Sequence, residues 1–312
     1  MSEKDAGGIA PMASIIIPTR SRPRKLRLCL AALSRNGDII PKEVLVIDDG
    51  SPRKLSAEID SFASAAGARL LRQPGAGPAA ARNRGAAEAR GRLLIFLDDD
   101  CQPQAGWLEA IVREFESGDA ILAGGPILNG AKANLFAEAT QLLVDYVSHV
   151  SINAGLAWGF LPSCNLAISR ESFDRLGRFD ESFSFAGGED REFFARAMRQ
   201  GLETRFVQEA AVRHFHEMNL ATYFQQHIRY GRGAVLYRQR LSARQDKLHV
   251  PLRWYVGLLK FPFDGRKLTQ AVPLALLLAL AQFATGVGAA RQAAGWIRYR
   301  IENAMRSLFD RN

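Results

Sequence analysis

The apolar run Leu93-Leu94-Ile95-Phe96-Leu97 ends at three consecutive aspartates, Asp98, Asp99 and Asp100. A short apolar run bounded by polar residues reads as a buried strand. Strands apolar on both faces belong to sheets covered by helices above and below. Three carboxylates at the strand's tip repel one another unless a cation sits among them. Mg²⁺ is typically held by one or two carboxylates together with substrate phosphates. The strand end therefore reads as a metal site for a phosphorylated ligand. The alternative is a solvated acidic turn.

The residues before and after this run alternate between two periods. Residues 14–17, 43–47 and 68–71 read as further short strands. Leu26, Cys29, Leu30 and Leu33 fall on one helical face, as do Leu55, Ile59, Phe62 and Ala66. Residues 78–90 form an Ala-rich helix stopped by Gly91, and Trp107, Leu108, Ile111, Val112 and Phe115 line another. This βαβαβαβα order predicts an α/β fold with a mostly parallel sheet. Ligands of such sheets bind outside the carboxyl ends of the strands. Asp48-Asp49 and Asp98-Asp99-Asp100 both fall at such ends, so they can share one crevice. Shorter strands are expected within 120–128, 161–168 and 205–207, and the chain turns helical from Tyr223 on. Residues 129–153 read as loop.

Charge is distributed unevenly. Residues 229–312 hold 15 Lys/Arg against 4 Asp/Glu, a balance of +11, whereas the residues before them hold 26 against 28. The positive excess of the tail points to an anionic surface, nucleic acid or lipid headgroups. Within the tail, residues 271–290 carry no charge. That is the length needed to cross a hydrocarbon core, about 20 residues. Gln282, Thr285, Gly286 and Gly288 dilute the stretch, so a buried or membrane-interface helix pair stands beside a true span. Residues 1–12 lack the basic-then-apolar pattern of a signal peptide. Cys29, Cys101 and Cys164 are widely spaced and odd in number, which suggests neither a disulfide framework nor a zinc motif and fits a reducing cytoplasm.

Five motifs occur in order: Ser14-Ile-Ile-Ile-Pro-Thr19, Val44-Leu-Val-Ile-Asp-Asp-Gly-Ser51, Ala81-Arg-Asn-Arg-Gly85, Phe96-Leu-Asp-Asp-Asp100 and Gly187-Gly-Glu-Asp-Arg-Glu192. Together they resemble a family 2 inverting glycosyltransferase with the GT-A fold. The resemblance covers residues 13–217, a GT-A unit with a nucleotide-binding half (13–128) and an acceptor half (129–217). Residues 218–312 follow as a helical, basic, membrane-associating appendage. The resemblance implies a nucleotide-diphosphate sugar as donor and an acceptor hydroxyl, lipid-linked or on a glycan. It places Thr19 and Asp49 at the nucleoside and matches Asp98-x-Asp100 to the D-x-D signature. Asp98 then faces ribose or metal, and Asp100 ligates Mn²⁺ or Mg²⁺. Asp190 matches the catalytic base, with Glu189 beside it. His214 or His216 falls where some members add a histidine to the metal, which tilts preference towards Mn²⁺. Strand alternation turns Asp99 away from Asp98 and Asp100.

The residue types suit that chemistry. A nucleoside diphosphate leaves with charge on phosphate oxygen, which a divalent cation stabilises. The acceptor hydroxyl needs a carboxylate to take its proton. Asp190 at a helix start is otherwise a plain N-cap. Arg82 is expected at the nucleotide, at the acidic cluster, or as a solvated helix arginine. Gln226-His-Ile-Arg229-Tyr230 comes close to the Q-x-x-R-W signature of processive members, with Tyr in place of Trp. Arg229 can grip a diphosphate, or 225–240 is a basic amphipathic helix on a membrane surface. Gly75-Ala-Gly77-Pro-Ala-Ala80 imitates a dinucleotide fingerprint but follows the third strand instead of the first, outside the required context. His149 and His227 read as polar surface residues, and Cys101 and Cys164 as packing residues.

Other function classes remain. A nucleotidyltransferase forming activated sugars would show a glycine-rich loop after strand one, where Pro18-Thr-Arg-Ser-Arg-Pro23 has none. A nucleic-acid binder does not suit a basic tail broken by a long Ala/Leu stretch. A non-catalytic nucleotide-sugar binder would not need Asp98, Asp100 and Asp190 together.

Overall fold

The computed structural model describes residues 11–36, 40–118, 121–147, 161–242 and 251–309. Its first half follows the alternation of the sequence: β1 (Ala13–Thr19), α1 (Pro23–Ser34), β2 (Lys42–Asp49), α2 (Arg53–Ala65), β3 (Arg69–Gln73), α3 (Pro78–Glu88) and β4 (Leu93–Leu97). There follow β5 (Cys101–Pro103), α4 (Trp107–Glu114), β6 (Ile121–Gly124), β7 (Ile127–Asn129), α5 (Leu135–Asp145), β8 (Asn165–Ser169), α6 (Arg170–Leu176), α7 (Glu189–Arg199), β9 (Glu203–Phe206) and β10 (Val212–His214). Three helices end the described chain: α8 (Leu220–Ser242), α9 (Leu252–Lys260) and α10 (Leu268–Phe309).

The main sheet has seven strands in the order β3-β2-β1-β4-β8-β6-β9. Neighbours pair in parallel except at β8, which runs against both β4 and β6. A second, three-stranded sheet, β5-β10-β7, stands at the carboxyl end of β4.

Side-chain alternation explains the two cores. Ile15, Ile17, Ile95 and Leu97 point to one face, where Leu26, Cys29 and Leu33 of α1 and Trp107 and Ile111 of α4 cover them. Ile16, Leu94 and Phe96 point to the other, under Ala81 of α3, Phe173 of α6 and Phe193 of α7. Burying each such side chain contributes about 1.5–3 kcal/mol. Gly85 lets α3 approach closely, since a Cβ there would strike Ile16.

Two expectations fail. The stretch 129–153 is not all loop: α5 occupies its middle, capped by the Asn134 side chain, which accepts from the Ala137 N–H 2.9 Å away. An Asn cap and the buried Ala139 and Leu142 one turn apart are ordinary helix signals that the polar flanks concealed. His227 is not on the surface: it is fully buried in α8, stacked edge-on against Tyr223 and Tyr230. Burial lowers its pKa to about 4 and keeps the ring neutral. Its polar neighbours Gln225, Gln226 and Arg229 hid this inward turn of the helix. His149 lies outside the described residues.

Candidate active site

The alternation of β4 continues to Asp98 and Asp99 but breaks in the turn at Asp100, which does not share the side of Asp98 as strand alternation predicts but lies with Asp99, where Arg22 meets both. Asp98 falls on the side of Leu94 and Phe96, facing α3 and α7. There Arg82 of α3 donates through Nη2 to Asp98 Oδ1 at 2.7 Å and through Nη1 to Glu189 Oε1 at 3.2 Å. Arg82 is therefore no solvated arginine: it is 3% exposed and bridges the strand tip to the start of α7. Burial opposes its charge, but Asp98 and Glu189 outweigh that and raise its pKa. Asp99 falls on the opposite face with Thr19, whose hydroxyl donates to Asp99 Oδ2 at 2.6 Å. Arg22 Nη2 stands 2.6 Å from the other Asp99 oxygen. Burial, reinforced by Asp100 and Asp98, still pushes Asp99 up to about 7.

Asp100 is buried among cations. Oδ1 lies 3.0 Å from His214 Nε2, and Oδ2 lies 3.0 Å from Arg22 Nη1 and 3.2 Å from Lys25 Nζ. Burial works to raise its pKa, but His214 and Arg22 hold it well below the carboxylate range. The second sheet delivers His214: β10 pairs with β5 so that His214 opposes Cys101, and Phe215 N donates to Asp100 O at 2.9 Å. Against burial, Asp100 lifts His214 to about 9. Burial and the neighbouring His214 drop His216 to about 3, so it stands as a neutral imidazole. Cys101 and Cys164 are buried beside His214. Burial pushes the Cys101 thiol well up, which fits a packing residue and not a nucleophile.

The carboxylate of Asp49, at the end of β2, is 5% exposed. Its Oδ1 accepts from Gln73 Nε2 and Ala76 N, both at 2.8 Å, and Oδ2 accepts from Gly77 N at 2.9 Å. A carboxylate offers about four lone-pair sites, so one remains on Oδ2. The glycine-rich segment 75–80 thus folds back onto Asp49 at the start of α3.

The turn before α7 needs its glycines. Gly187 has φ 139° and Gly188 φ 104°, and both pack under α8. A Cβ on Gly187 would stand 3.2 Å from the Arg229 carbonyl and from the Tyr230 ring, and Gly233 of α8 touches the Gly187 carbonyl. Gly188 is the N-cap, so Glu189 and Asp190 occupy the first turn, not the cap itself. Glu189 Oε2 accepts from Gly187 N at 2.8 Å. Burial, then the adjacent Asp190, raises Glu189 to about 7 against the pull of Arg82. Burial also raises Asp190, with Arg191 and Arg82 opposing and Asp98 adding to the rise. Arg229 is exposed on α8 and contributes its backbone, not its guanidinium, to this packing.

Contacts thus connect Asp98, Arg82, Glu189 and Asp190 on one side of the β4 tip, and Thr19, Asp99, Arg22, Asp100 and His214 on the other. Comparison with known proteins identifies the family. Residues 14–177 match the family described as glycosyl transferase family 2, more than half of the chain. The chain belongs to that family. Residues 155–219 also match the description "N-terminal domain of galactosyltransferase". Chondroitin synthase of Escherichia coli is 27% identical over 234 residues, covering 64% of this chain and 34% of that protein. Pre-mycofactocin glycosyltransferase of Mycobacterium tuberculosis is 28% identical over 234 residues, covering 71% of this chain and 46% of that protein. The chain spans between about a third and a half of the length of these two relatives. Among solved structures, a mannosyltransferase from Pyrobaculum calidifontis in complex with GDP-Man and Mn²⁺ superposes with TM-score 0.57 at 19% identity, over 96% of this chain and 85% of that one. That likeness shows the GT-A fold.

The donor set fits a divalent cation. One oxygen of Asp100 and ring nitrogens of His214 and His216 lie within 4.8 Å of one another. The two imidazoles tilt preference away from Mg²⁺. His216 is already in its ligating, neutral form, whereas His214 must release the proton that Asp100 stabilises.

Sequence reasoning did not find Arg22 and Lys25. Both lie in the basic run Arg20-Ser-Arg-Pro-Arg-Lys25, whose density of charge just after a strand end was the available signal.

Proposed function

We propose that this protein transfers a sugar from a nucleotide-diphosphate sugar to an acceptor hydroxyl, with inversion at the anomeric carbon, in assembly of a cell-surface glycan or glycolipid. The carrying observation is the Arg82 bridge, which ties Asp98 of the D-x-D strand end to Glu189 beside Asp190. The family and the polysaccharide synthases among its relatives support this reading. We further propose that residues 13–217 act as the GT-A unit, with its halves 13–128 and 129–217. Residues 218–312 would hold it on the inner face of the cytoplasmic membrane.

Asp100, His214 and His216 would hold Mn²⁺ or Mg²⁺, which when bound supplies Lewis-acid stabilisation to the departing diphosphate, while Asp98, paired with Arg82 outside that donor set, would face the ribose. The protein's own residues do the rest. Thr19 and the remaining lone pair of Asp49 line the nucleoside side, where a carboxylate accepts from a base N–H. Arg229, exposed one turn beyond the glycine turn, can reach the diphosphate once the donor is seated. Asp190 takes the acceptor proton through its free oxygen, Oδ2, since Oδ1 accepts from Arg191 N at 2.8 Å. Attack from the face opposite the leaving group inverts the centre. Glu189, held by Arg82 and Gly187 N, positions the first turn of α7 and its raised pKa limits charge repulsion with Asp190. Arg82 keeps Asp98 and Glu189 at fixed separation as the donor enters.

The test is incubation of the purified protein with a panel of nucleotide sugars, Mn²⁺ or Mg²⁺, and sugar acceptors. Release of nucleoside diphosphate with a product of inverted anomeric configuration is expected. Release of pyrophosphate when nucleoside triphosphates and sugar 1-phosphates are supplied instead would identify a nucleotidyltransferase, and binding without turnover of any donor would identify a non-catalytic binder.

A further inference from the structure

The apolar segment of α10 from Leu268 to Trp296 spans 29 residues, and an 18-residue window within it has a mean hydropathy of 1.8, so it is long and apolar enough to cross a membrane. Its surroundings argue otherwise. Ala271, Leu274, Leu278, Ala281 and Ala284 lie on one face and are buried. They meet Ala139 and Leu142 of α5 and Tyr223 of α8, whose hydroxyl donates to the Leu277 carbonyl at 3.0 Å. Glycines interlock α8 and α10: Gly231 seats against Thr285, and Gly288 against the Ile228 carbonyl. One turn on, Arg232 donates to Gln292 at 3.3 Å. The other side of α8 carries Gly233, which touches the catalytic turn at Gly187. A crossing α10 would drag Arg229, Arg232 and the Gly187–Glu189 turn to bilayer depth, where charged groups are costly.

The face of α10 turned from the protein is apolar as well. Leu268, Val272, Leu276, Ala279 and Phe283 recur at i, i+4, i+8, i+11 and i+15 and are all exposed, Leu276 at 66% and Phe283 at 64%, the Phe283 ring at the edge of the stripe also meeting Phe224 of α8 with centroids 6.4 Å apart. On α9 and the turn after it, Leu252, Val256, Leu259 and Phe263 recur at i, i+4, i+7 and i+11, with Leu252 at 78% exposure. Leu258 of α9 packs with Leu278 of α10, so the two helices share one cluster. Basic residues border the stripes. Arg253 and Lys260 are exposed along one edge on α9, Lys267 precedes α10, and Arg291 follows its stripe. Asp264 is the one acidic residue between 251 and 296.

We infer that α9 and the first half of α10 form a single docking face that lies flat in the headgroup region of an anionic bilayer. An apolar stripe edged by Lys and Arg is the pattern of an interfacial helix, and anionic headgroups complement the basic rim. A second copy of this chain on the same face would set one basic rim against the other. The inference rests on the membrane association proposed above and adds its mode. Helices pack at about 8–10 Å between axes, so the catalytic turn stands about 20 Å above the docking face, separated by α10 and α8. That height suits an acceptor hydroxyl carried on a lipid's polar headgroup.

The full chain is tested by flotation with vesicles of phosphatidylcholine alone or with phosphatidylglycerol. Flotation with the anionic vesicles is expected. The double variant Leu276→Asp with Phe283→Asp should bind at least 10-fold more weakly while donor turnover on a soluble acceptor changes less than 2-fold. Wild-type protein that fails to float overturns the membrane reading itself. Labels on Val272→Cys, Leu276→Cys and Phe283→Cys, quenched by brominated lipids, should report one shallow depth. Depth increasing from 272 to 283 would leave the membrane reading intact and overturn the in-plane one. Lipid-free dimers that Leu276→Asp dissociates would assign the face to a second copy and also overturn it.

Discussion

Two acidic clusters stand at the ends of β2 and β4, the strands on either side of β1, and the protein satisfies them differently. Asp48 and Asp49, after β2, are tied down locally. Asp49 accepts from Gln73 and from two backbone N–H groups of the segment after β3, and Asp48 accepts from Ser51 N at 3.0 Å. Asp98, Asp99 and Asp100, after β4, are held by side chains from distant elements: Arg22 and Lys25 before and on α1, Arg82 on α3 and His214 on β10. Backbone donors cannot leave, so the first cluster is scaffold, which in the proposed function would shape a nucleoside pocket. Arginine and lysine side chains can swing away and His214 can lose its proton, so under the proposed function the second cluster would exchange its protein cations for a metal-bound diphosphate.

Substitutions should separate the two clusters. The largest effects are expected at the β4 end and across the Arg82 bridge. Asp190→Asn should lower turnover by about 10²–10⁴-fold, the usual worth of a general base, with the thermal midpoint retained. Asp100→Asn should do the same to turnover, and should also lower the pKa of His214, seen by NMR as loss of its charge near neutral pH. Arg82→Gln should act on stability: leaving Glu189 buried without its partner costs about 3–5 kcal/mol, read by denaturant titration.

The pH dependence gives the next effect. Glu189 sits at about 7 in the folded chain against an ordinary value of 4.5. The native state therefore holds this proton more tightly, and its contribution to stability falls as pH rises from 4.5 through about 7, then levels. The span corresponds to roughly 3 kcal/mol. Glu189→Gln should flatten that part of the stability-pH curve, and an unchanged slope would show that the glutamate is not buried as described. The smallest effect is at the scaffold cluster. Asp49→Asn should cost about 1–3 kcal/mol of stability by weakening its three hydrogen bonds. It should raise KM for the donor more than it lowers kcat.

Much of this arrangement was legible in the sequence because it follows from period and chemistry. Short, largely apolar runs marked the strands, and the aspartates at the ends of two of them had to lie at the carboxyl edge. Pairings set by the long return of the chain were not legible. Nothing in Arg82 itself says that it reaches Glu189, 107 residues away. His214 could be named only through family likeness, because β10 owes its place to pairing with β5 and β7, distant segments. His227 and α5 were misread where polar neighbours masked an inward-facing position. The tail's apolar run was plain, but which of its faces is covered depends on glycine contacts between α8 and α10 that no periodicity reports.

Exchange of the protein cations around the β4 carboxylates for a divalent cation bridged to a nucleoside diphosphate can be followed by electron paramagnetic resonance. Mn²⁺ binding would be titrated with and without nucleoside diphosphates in the wild type, Asp100→Asn and Asp49→Asn. Saturable Mn²⁺ binding that tightens with nucleotide, disappears in Asp100→Asn and survives in Asp49→Asn is the expected result. Binding that persists undiminished in Asp100→Asn would refute the exchange.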